Sequence, residues 1–527
     1  MIEPGEIEKR SLFPWIFLRQ FTILFLWILL GIATFGHIMM RPIEPNEHMY
    51  VAAAVLTMEH EIYADFPFLQ MPNLPYVYAA IYRLTGTEYY LFVARVVTWV
   101  ATMMSCSMMG AIAWQFARSQ HGFQAIFAAW ILALSESFIL VTGECSNYVF
   151  PILFSLVAFW ALVALPSRFG SGLAGFAVAM AVGFKLYYAS LVPLFAIAVL
   201  LLPVDWDKKC WNLAAFFAFG LFGALPSVLS LVRNTETFLY DNIEFHLQTA
   251  RWFHEIHYHD RLLLFDKVRY AKSCLQHPSQ MWIAFGIAFT LVDFIWRTPD
   301  KDPLGVEHSR RNRRWGLLSA SLVAMSLLTA LVPTPMWPQY VGMVVPFALV
   351  LVLAVGNQFP FEMKRALLVC FLVGLVVSGP YYLRSMPHLF QTKSWVPIAY
   401  HNESREIFRS FQLNNDAVIA TFMPLMVVEA GYRILPEFAN ARFLYQVSHK
   451  LSDKRVAKIR TTSPSHLDTL LDSKQPELIV TPFLRFSQGN ALCPEDDLDR
   501  YAKEHGYFAN EFSLSQLHVW RIAKNPR

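Results

Sequence analysis

Long apolar runs dominate the chain from its N-terminus to about residue 383. Because a bilayer core of about 30 Å requires roughly 20 apolar residues per helix, each run predicts a membrane-spanning helix. The run at 171–202 is too long for one straight helix and contains Gly183, Lys185 and Pro193. We therefore expect two shorter helices that meet near Lys185, and about eleven membrane helices in all. The runs fall near 15–38, 91–116, 123–142, 147–165, 171–202, 211–232, 281–296, 315–332, 339–357 and 366–383.

A different pattern begins at about Arg384, where the long apolar runs stop. "DAVIAT" predicts a short buried strand, and "LDTLLDSKQPELIVT" predicts a helix, a turn and a strand. "YAKEHGY" predicts a helix that ends at Gly506, and "QLHVWRIA" predicts a closing strand. The fold class is therefore mainly α. We expect a polytopic membrane domain over 1–383, with outer loops at 39–90 and 233–280, and a soluble α/β domain over 384–527.

Composition supports a membrane protein. Hydrophobic residues make up 55% of the 527 residues and charged residues only 16%, whereas a soluble domain carries about 25% charged residues. The net charge of +4 is small, and no basic patch with interleaved aromatic residues indicates a nucleic-acid partner. The six cysteines are scattered without CxxC spacing, which favours buried apolar residues over a disulfide or zinc framework.

Basic residues in the short loops predict the orientation. With a cytoplasmic N-terminus and eleven helices, the clusters Lys9–Arg10, Lys208–Lys209, Arg310–Arg314 and Lys364–Arg365 all fall on the cytoplasmic side. The first run is too long for the core of a signal peptide, so we interpret it as an uncleaved first helix. The two long loops and the tail after about 384 then share the outer side.

The first outer loop carries the richest candidate chemistry. In "EPNEHMY", Glu44 and Glu47 flank Asn46, and Tyr50 follows one turn later; Asp65 comes next, in "YADF". A carboxylate at the mouth of a membrane domain is partly desolvated, which raises its pKa and suits it to act as a base. The alternative is a solvated loop whose acids face water.

Two further polar points interrupt the apolar pattern. Glu144 and Asn147 lie in "TGECSNYVFP", where they are either functional residues at the membrane edge or part of a helix cap that Ser146 or Asn147 provides. Lys185 lies in "VGFKLYYASLVP". Its ammonium group either pairs with a phosphate or an outer-loop acid, or extends to the interface.

The loop at 233–280 is rich in polar side chains. "RWFHEIHYHD" carries His254, His257 and His259, a density that permits a divalent metal such as zinc or manganese but matches no specific zinc spacing. A solvated face or contacts to a substrate are the alternatives. His246 and Arg251 of this loop are further candidate substrate-binding residues. No other cofactor is predicted.

"PTPMWPQYVGMVVPF" places Gln339 and Tyr340 at the outer start of a helix. The alternatives there are an aromatic belt at the membrane interface and a wall for a lipid head group.

The order of these motifs resembles the GT-C membrane glycosyltransferases. The motifs are the acidic loop with its Tyr, "YADF", "GECSNYVFP", "GFKLYYASLVP" and the "PQY" helix start. The resemblance is to the branch that includes bacterial aminoarabinose transferases and protein O-mannosyltransferases. It implies transfer of a sugar from a polyisoprenyl-phosphate carrier to a lipid, glycan or protein acceptor. It also implies a bacterial inner-membrane protein with a periplasmic tail. An outer-loop carboxylate would deprotonate the acceptor, and basic residues would stabilise the departing phosphate.

The chain departs from the pattern of this family at two positions. The family usually has Asp-Glu where this chain has Asn46-Glu47, and many relatives carry an acid where it has Asn147. Since an amide cannot take the proton, the resemblance points to Glu47 as the base, with Glu44 and Asp65 behind it and Glu144 as the second carboxylate. The alternative function is a non-catalytic transporter or scaffold for lipid-linked glycans, although no internal repeat indicates a transporter.

Overall fold

The computed structural model describes residues 4–117, 121–258, 261–296, 303–356, 361–414, 416–482, 493–512 and 517–522. Helices account for most of this part of the chain up to residue 383. The helices are α1 (Pro4–Met40), α2 (Pro45–Leu56), α3 (Asn73–Thr85), α4 (Tyr90–Phe116), α5 (His121–Leu134), α6 (Glu136–Thr142), α7 (Val149–Ala164), α8 (Ser167–Phe184), α9 (Val192–Leu200), α10 (Trp206–Arg233), α11 (Thr235–Leu239), α12 (Phe245–Glu255), α13 (Leu264–Leu275), α14 (Met281–Trp296), α15 (Pro303–Ala330), α16 (Val344–Gly356) and α17 (Phe361–Leu383).

Every predicted apolar run contains a helix, and the chain is an integral membrane protein. Within the described residues, six helices are long and apolar enough to cross a membrane, or seven if α5 and α6, which bend by 75°, form one span. Three shorter apolar helices accompany them, at Val149–Ala164, Leu186–Leu200 and Pro278–Val292. The number of helices that cross the bilayer, predicted as about eleven, and the orientation of the chain stay predictions.

The predicted break near Lys185 is present. Helix α8 ends at Phe184, Lys185 is extended, and a 3₁₀ turn over Leu186–Leu191 leads into α9. Gly183 allows the start of α3 to approach α8 closely, because a Cβ atom there would lie 2.2 Å from Asn73 Nδ2. The break therefore brings Lys185 to the level of the loop at 39–90.

That loop, which we call the first loop, folds as α2 and α3 with an irregular segment between them. Helix α2 begins with a capping box, in which the Glu44 side chain accepts a bond from the Glu47 amide and the Glu47 side chain accepts one from the Glu44 amide. Helix α3 ends at Gly86 in the left-handed region, at φ 59°, where glycine carries no Cβ penalty. The second loop, at 233–280, contains α11, a π-helical turn over Tyr240–Glu244, α12 and α13.

The tail, from residue 384 onward, contains a four-stranded sheet in the order β1-β2-β4-β3. Strand β1 pairs with β2 in parallel, and the other pairs are antiparallel. The predicted strands correspond to β1, β2 and β4, and β3 was not predicted. The elements are α18 (Val396–Ser410), β1 (Ile419–Ala420), α19 (Pro424–Glu429), α20 (Arg442–Ser448), α21 (Asp453–Ile459), α22 (Leu467–Lys474), β2 (Leu478–Pro482), α23 (Pro494–Glu504), β3 (Tyr507–Phe512) and β4 (Leu517–Ile522).

The tail packs against both loops. One buried apolar cluster joins Phe68 of the first loop, Phe238 of the second and Leu478 of the tail. Ion pairs between described residues also cross this interface: Arg405–Glu88 (2.5 Å), Arg455–Glu244 (2.5 Å), Lys450–Glu255 (2.5 Å) and Arg460–Asp65 (3.1 Å). The tail and the two loops therefore lie on the same side of the helical part. Whether 384–527 forms a separate domain stays a prediction.

Candidate active site

A buried ion pair lies where the first loop meets α4. Arg95 Nε donates to Glu47 Oε1 at 2.9 Å, and Arg95 Nη2 donates to Glu47 Oε2 at 2.7 Å. Both side chains are completely buried. Arg95 Nη1 also donates to the carbonyl oxygens of Ile38 (2.9 Å) and Arg41 (2.7 Å). The pair therefore ties the end of α1, the start of α2 and α4 together.

Both carboxylate oxygens of Glu47 are fully occupied. Besides Arg95, Oε1 accepts a bond from the Cys145 amide at 3.1 Å and Oε2 accepts one from the Glu44 amide at 3.1 Å. Burial by itself raises the pKa of Glu47, but the charge of Arg95 and these hydrogen bonds outweigh it and leave the pKa below its usual value. Glu47 is thus held as a carboxylate.

The second buried carboxylate, Glu144, has a different environment. It is 2% exposed and accepts two bonds from Asn46 Nδ2, at 3.3 and 3.4 Å. Burial raises its pKa, the negative charges of Glu47 and Glu44 add to this, and Arg41 and Asn46 oppose it, so that the pKa reaches about 7. Glu144 can therefore take up a proton near neutral pH.

Gly143 makes room for the Arg41 guanidinium group beside Glu144. A Cβ atom at Gly143 would lie 2.2 Å from Arg41 Nη1, so any other residue here would displace this guanidinium group. Arg41 in turn forms an ion pair with Glu44 at 3.6 Å. The local sequence "TGEC" therefore places a cation close to Glu144 without a direct ion pair between the two in the part of the chain that the structure describes.

Lys185 is held by neutral partners. Its Nζ donates to Gln70 Oε1 at 2.8 Å and to Asn147 Oδ1 at 3.3 Å, and it lies 4.5 Å from the centre of the Tyr148 ring. The side chain of Asn147 is fixed by a bond from its Nδ2 to the Phe184 carbonyl at 2.8 Å. Lys185 is 6% exposed, and it forms no ion pair with any residue that the structure describes. This buried lysine thus has no ion-pair partner among the described residues, although the charge of Glu144 is close enough to act on it.

Tyrosine rings form one wall beside Lys185. Tyr340 lies 6.3 Å from Tyr148 and 5.9 Å from Tyr187, measured between ring centres. The buried Tyr50 is close enough to Glu144 and Tyr340 for their charges to act on it. Gln339 Oε1 is buried without a hydrogen-bond partner among the described residues. These tyrosine rings connect Glu144 with Lys185, and we call the side chains from Glu144 to Lys185 the polar cluster.

His246 of the second loop lies on the Lys185 side of the polar cluster. Its side chain is exposed, and it lies close enough to Lys185 for that charge to act on it and close enough to the Leu69 backbone for a hydrogen bond. It adds a polar group next to Lys185.

Other predicted residues lie away from this polar cluster. Asp65 accepts a bond from the Glu61 amide at 2.9 Å and pairs with Arg460 of the tail, so it takes part in the loop–tail interface. Arg251, His254 and His257 are exposed on and just after α12, and His259 lies outside the described residues. Among the described residues, no group of three or more His, Cys, Asp or Glu side chains could hold a metal ion. The metal site stays a prediction.

Sequence reasoning missed Arg95, Gln70 and Asp241. Arg95 interrupts the apolar run at 91–116, and a charged residue inside such a run is a functional or structural signal by itself. Gln70 and Asp241 lie in ordinary polar stretches of the two loops. Nothing in their local sequence distinguishes them from solvated residues.

No family model matches this chain, and no curated protein matches it. Among solved structures, it is similar to ArnT from Cupriavidus metallidurans bound to undecaprenyl phosphate, with 12% identity, a TM-score of 0.58, and coverage of 97% of this chain and 98% of that chain. The apo structure of the same ArnT gives 15% identity, a TM-score of 0.49 and coverage of 97% and 98%. The archaeal oligosaccharyltransferase AglB from Archaeoglobus fulgidus, in complex with an inhibitory peptide and a dolichol-phosphate, gives 9% identity, a TM-score of 0.47 and coverage of 96% and 75%. The likeness to the first of these structures confirms the predicted resemblance at the level of the fold: the chain has the fold of ArnT.

Proposed function

We propose that the protein is an integral-membrane glycosyltransferase that transfers a sugar from a polyisoprenyl-phosphate donor to an acceptor hydroxyl at the outer face of the membrane. The observation that carries the proposal is that one polar cluster contains both Glu144, whose pKa is about 7, and Lys185, a buried lysine without an ion-pair partner among the described residues. The shared fold with ArnT, which binds undecaprenyl phosphate, supports the same class of donor.

Glu144 is the better candidate for the general base. A base must accept a proton near the working pH, and a pKa close to 7 meets that requirement. Glu47 has a lowered pKa and both its oxygens are bound by Arg95, so protonation there would break a buried ion pair. We therefore assign Glu47 to the support of the site and Glu144 to proton transfer, with Asn46 orienting the carboxylate.

Lys185 is suited to receive the departing phosphate. Its neutral partners, Gln70 and Asn147, orient the ammonium group without neutralising it. In the reaction, Glu144 takes the proton of the acceptor hydroxyl, and the acceptor oxygen forms a bond to the anomeric carbon. The bond from that carbon to the phosphate oxygen breaks, and the phosphate monoester leaves with the electron pair. The charge of Lys185 stabilises that developing anion in a water-poor site.

The tyrosine wall supports a role in binding the sugar or the lipid head group. Tyr148, Tyr187 and Tyr340 present apolar rings with hydroxyl groups next to Lys185. The acceptor is a lipid, a glycan or a protein. We further propose the bacterial inner membrane as the location, with the N-terminus in the cytoplasm and the tail, as an α/β domain, on the outer side.

A second candidate function has one observation in its favour. Asn46 and Asn147 are amides where the GT-C pattern usually has acids, so a non-catalytic scaffold or transporter for lipid-linked glycans would keep this architecture without a base. The two functions differ in what Glu144 must do, because only transfer requires its proton affinity.

Mass spectrometry of membrane lipids and envelope glycans from a deletion strain tests the proposal. We expect a polyisoprenyl-phosphate sugar to accumulate and one glycosylated product to disappear. The wild-type gene should restore both, and Glu144→Gln should restore neither at equal protein level. Full restoration by Glu144→Gln would support the scaffold. A reporter fused after residue 395 tests the orientation, and a cytoplasmic signal there would contradict it.

A further inference from the structure

A short irregular segment of the first loop, residues 67–70, is held by side chains from two distant parts of the chain. Asp241 Oδ2, on the π-helical turn of the second loop, accepts a bond from the Phe68 amide at 2.9 Å. Asn440 of the tail accepts a bond from the Leu69 amide through Oδ1 at 3.3 Å. Both side chains are buried, Asp241 at 0% exposure and Asn440 at 2%. Buried polar groups of this kind are costly unless they are bonded.

The remaining backbone groups of the segment are held as well. Asn440 Nδ2 donates to the Pro67 carbonyl at 2.9 Å, so that the one amide group clamps the segment with two bonds. Tyr63 OH donates to the Gln70 carbonyl at 2.5 Å and is itself bonded by Asn242 Nδ2 at 3.3 Å. The path of the main chain up to Gln70 is therefore set by tertiary contacts rather than by a helix or a strand.

The segment ends at Gln70, whose side chain contacts Lys185. Gln70 Oε1 accepts bonds from Lys185 Nζ at 2.8 Å and from Asn147 Nδ2 at 3.3 Å. Gln70 therefore gives the shorter of the two hydrogen bonds that Lys185 forms among the described residues, the other being the bond to Asn147 at 3.3 Å. A continuous series of bonds thus leads from Asn440, in the tail, to Lys185, at the break after α8.

We propose that Asn440 and Asp241 are positioning residues for the donor phosphate: they act through the 67–70 segment and Gln70 to orient Lys185. The inference rests on the proposed function, in which Lys185 receives the phosphate of a polyisoprenyl carrier. It implies that the site is incomplete without the tail, which contributes a side chain that never touches the ligand.

Two features separate this role from ordinary packing. Asn440 and Asp241 bind main-chain amides of one short segment, whereas the ion pairs of the interface join exposed or half-exposed side chains. Asp241 also lies on a π-helical turn, a local distortion that is often found at functional sites. The proton-transfer and leaving-group steps proposed above do not involve either residue.

Binding of undecaprenyl phosphate to the full-length protein in nanodiscs tests the proposal through a double-mutant cycle. We expect Asn440→Ala to weaken the affinity about tenfold and Gln70→Ala to weaken it at least as much, with the double variant no weaker than Gln70→Ala alone. Such non-additivity is the result expected if Asn440 acts through Gln70. Asn440→Asp keeps the acceptor for the Leu69 amide and should give an intermediate affinity. This variant takes the place of Asn440→Ala if the alanine variant does not fold.

Arg405→Ala is the matched control, because it removes a tail–loop ion pair with Glu88 that does not involve the segment. It should leave the affinity unchanged. Additive effects of Asn440→Ala and Gln70→Ala would overturn the proposal, as would an unchanged affinity in Asn440→Ala or an equal loss in Arg405→Ala.

Reductive methylation of Lys185, followed by mass spectrometry, reads out its positioning without any ligand. We expect modification to be several-fold faster in both Asn440→Ala and Gln70→Ala than in wild type, and unchanged in Arg405→Ala. Equal rates in all four proteins would overturn the positioning role. If wild type bound no undecaprenyl phosphate, the proposed function would fall, while these rates would still decide whether Asn440 orients Lys185.

Discussion

Arg95 and Lys185 are both buried cations near the first loop, but the protein surrounds them in opposite ways. Arg95 meets Glu47 through two charge-assisted bonds and has no exposed surface. Lys185 meets the neutral amides Gln70 and Asn147 and forms no ion pair among the described residues. A neutralised pair holds elements together, whereas a buried lysine with neutral partners retains the capacity to bind an anion.

The two buried carboxylates, Glu47 and Glu144, differ in the same way. Glu47 belongs to the neutralised pair and its pKa is lowered by Arg95. Glu144 has only an amide, Asn46, as its side-chain partner within the described residues, and burial raises its pKa to about 7. Glu47 therefore supports the fold around the site, and the adjacent Glu144 is available for chemistry.

The largest effect should come from Glu144→Gln, which removes the proton acceptor but keeps the shape. We expect the rate of sugar transfer to fall about 10²–10⁴-fold, the usual contribution of a general base, with normal expression and thermal stability. The measurement is single-turnover transfer by purified protein. Glu61→Gln, at a first-loop carboxylate that pairs with Arg233 and not with the site, is the control and should change the rate little. A rate within about threefold of wild type would assign the base elsewhere.

Arg95→Met should affect folding rather than chemistry alone. Leaving Glu47 buried without its cation costs about 3–5 kcal/mol of unfolding free energy, so we expect a marked drop in the thermal denaturation temperature in detergent. Glu47→Leu combined with Arg95→Met should recover much of that loss, because no buried charge is left unpaired. An unchanged denaturation temperature in Arg95→Met would contradict the supporting role.

Lys185→Met should behave in the opposite way. Removal of a buried lysine with neutral hydrogen-bond partners leaves no partner ion behind, so we expect thermal stability equal to or above that of wild type. The affinity for undecaprenyl phosphate should fall about 10–100-fold, as for the loss of a hydrogen bond to a charged group. Equilibrium binding in nanodiscs measures it. A large loss of stability with unchanged affinity would show that Lys185 supports the fold and does not bind the phosphate.

The smallest effect is the pH dependence of transfer. Glu144 acts as a base only when it is deprotonated, whereas Lys185 must carry its proton. Burial lowers the pKa of Lys185 to about 7, but the anionic phosphate of a bound donor favours its charged form. With saturating donor, the rate should therefore rise with pH, pass its midpoint at about 7 and level off above it. At pH 6, about one tenth of the molecules carry the ionised group, and the rate should be about tenfold below the plateau. The residual activity of Glu144→Gln should lack this rise, and a flat wild-type profile would argue against the assignment.

Much of the fold follows from local patterns. Apolar runs of sufficient length placed the membrane helices, and the interruption at Lys185 marked a real break between α8 and α9. In the tail, alternation and turn residues marked β1, β2 and β4. Strand β3, "YFANEF", was missed because four of its six residues are exposed, so that pairing with β4 rather than burial makes it a strand.

The candidate site was only partly predictable. The positions Asn46, Glu47, Glu144 and Lys185 stood out as polar residues against an apolar background, and the structure brings them close together. Their roles did not follow from that background. Asp65, similar to the others in its sequence context, forms an ion pair with Arg460 at the tail interface instead.

The sequence by itself determined which segments are apolar enough for a bilayer, where one of them breaks, and which loops carry acids, because these properties depend on neighbours along the chain. Only the tertiary structure decided which carboxylate is neutralised and which cation is not. Arg95 is 48 positions from Glu47, Gln70 is 115 from Lys185, and Asn440 is 373 from Pro67. The charge state and direction of a buried group depend on what folds against it, and those partners come from parts of the chain that no local pattern connects.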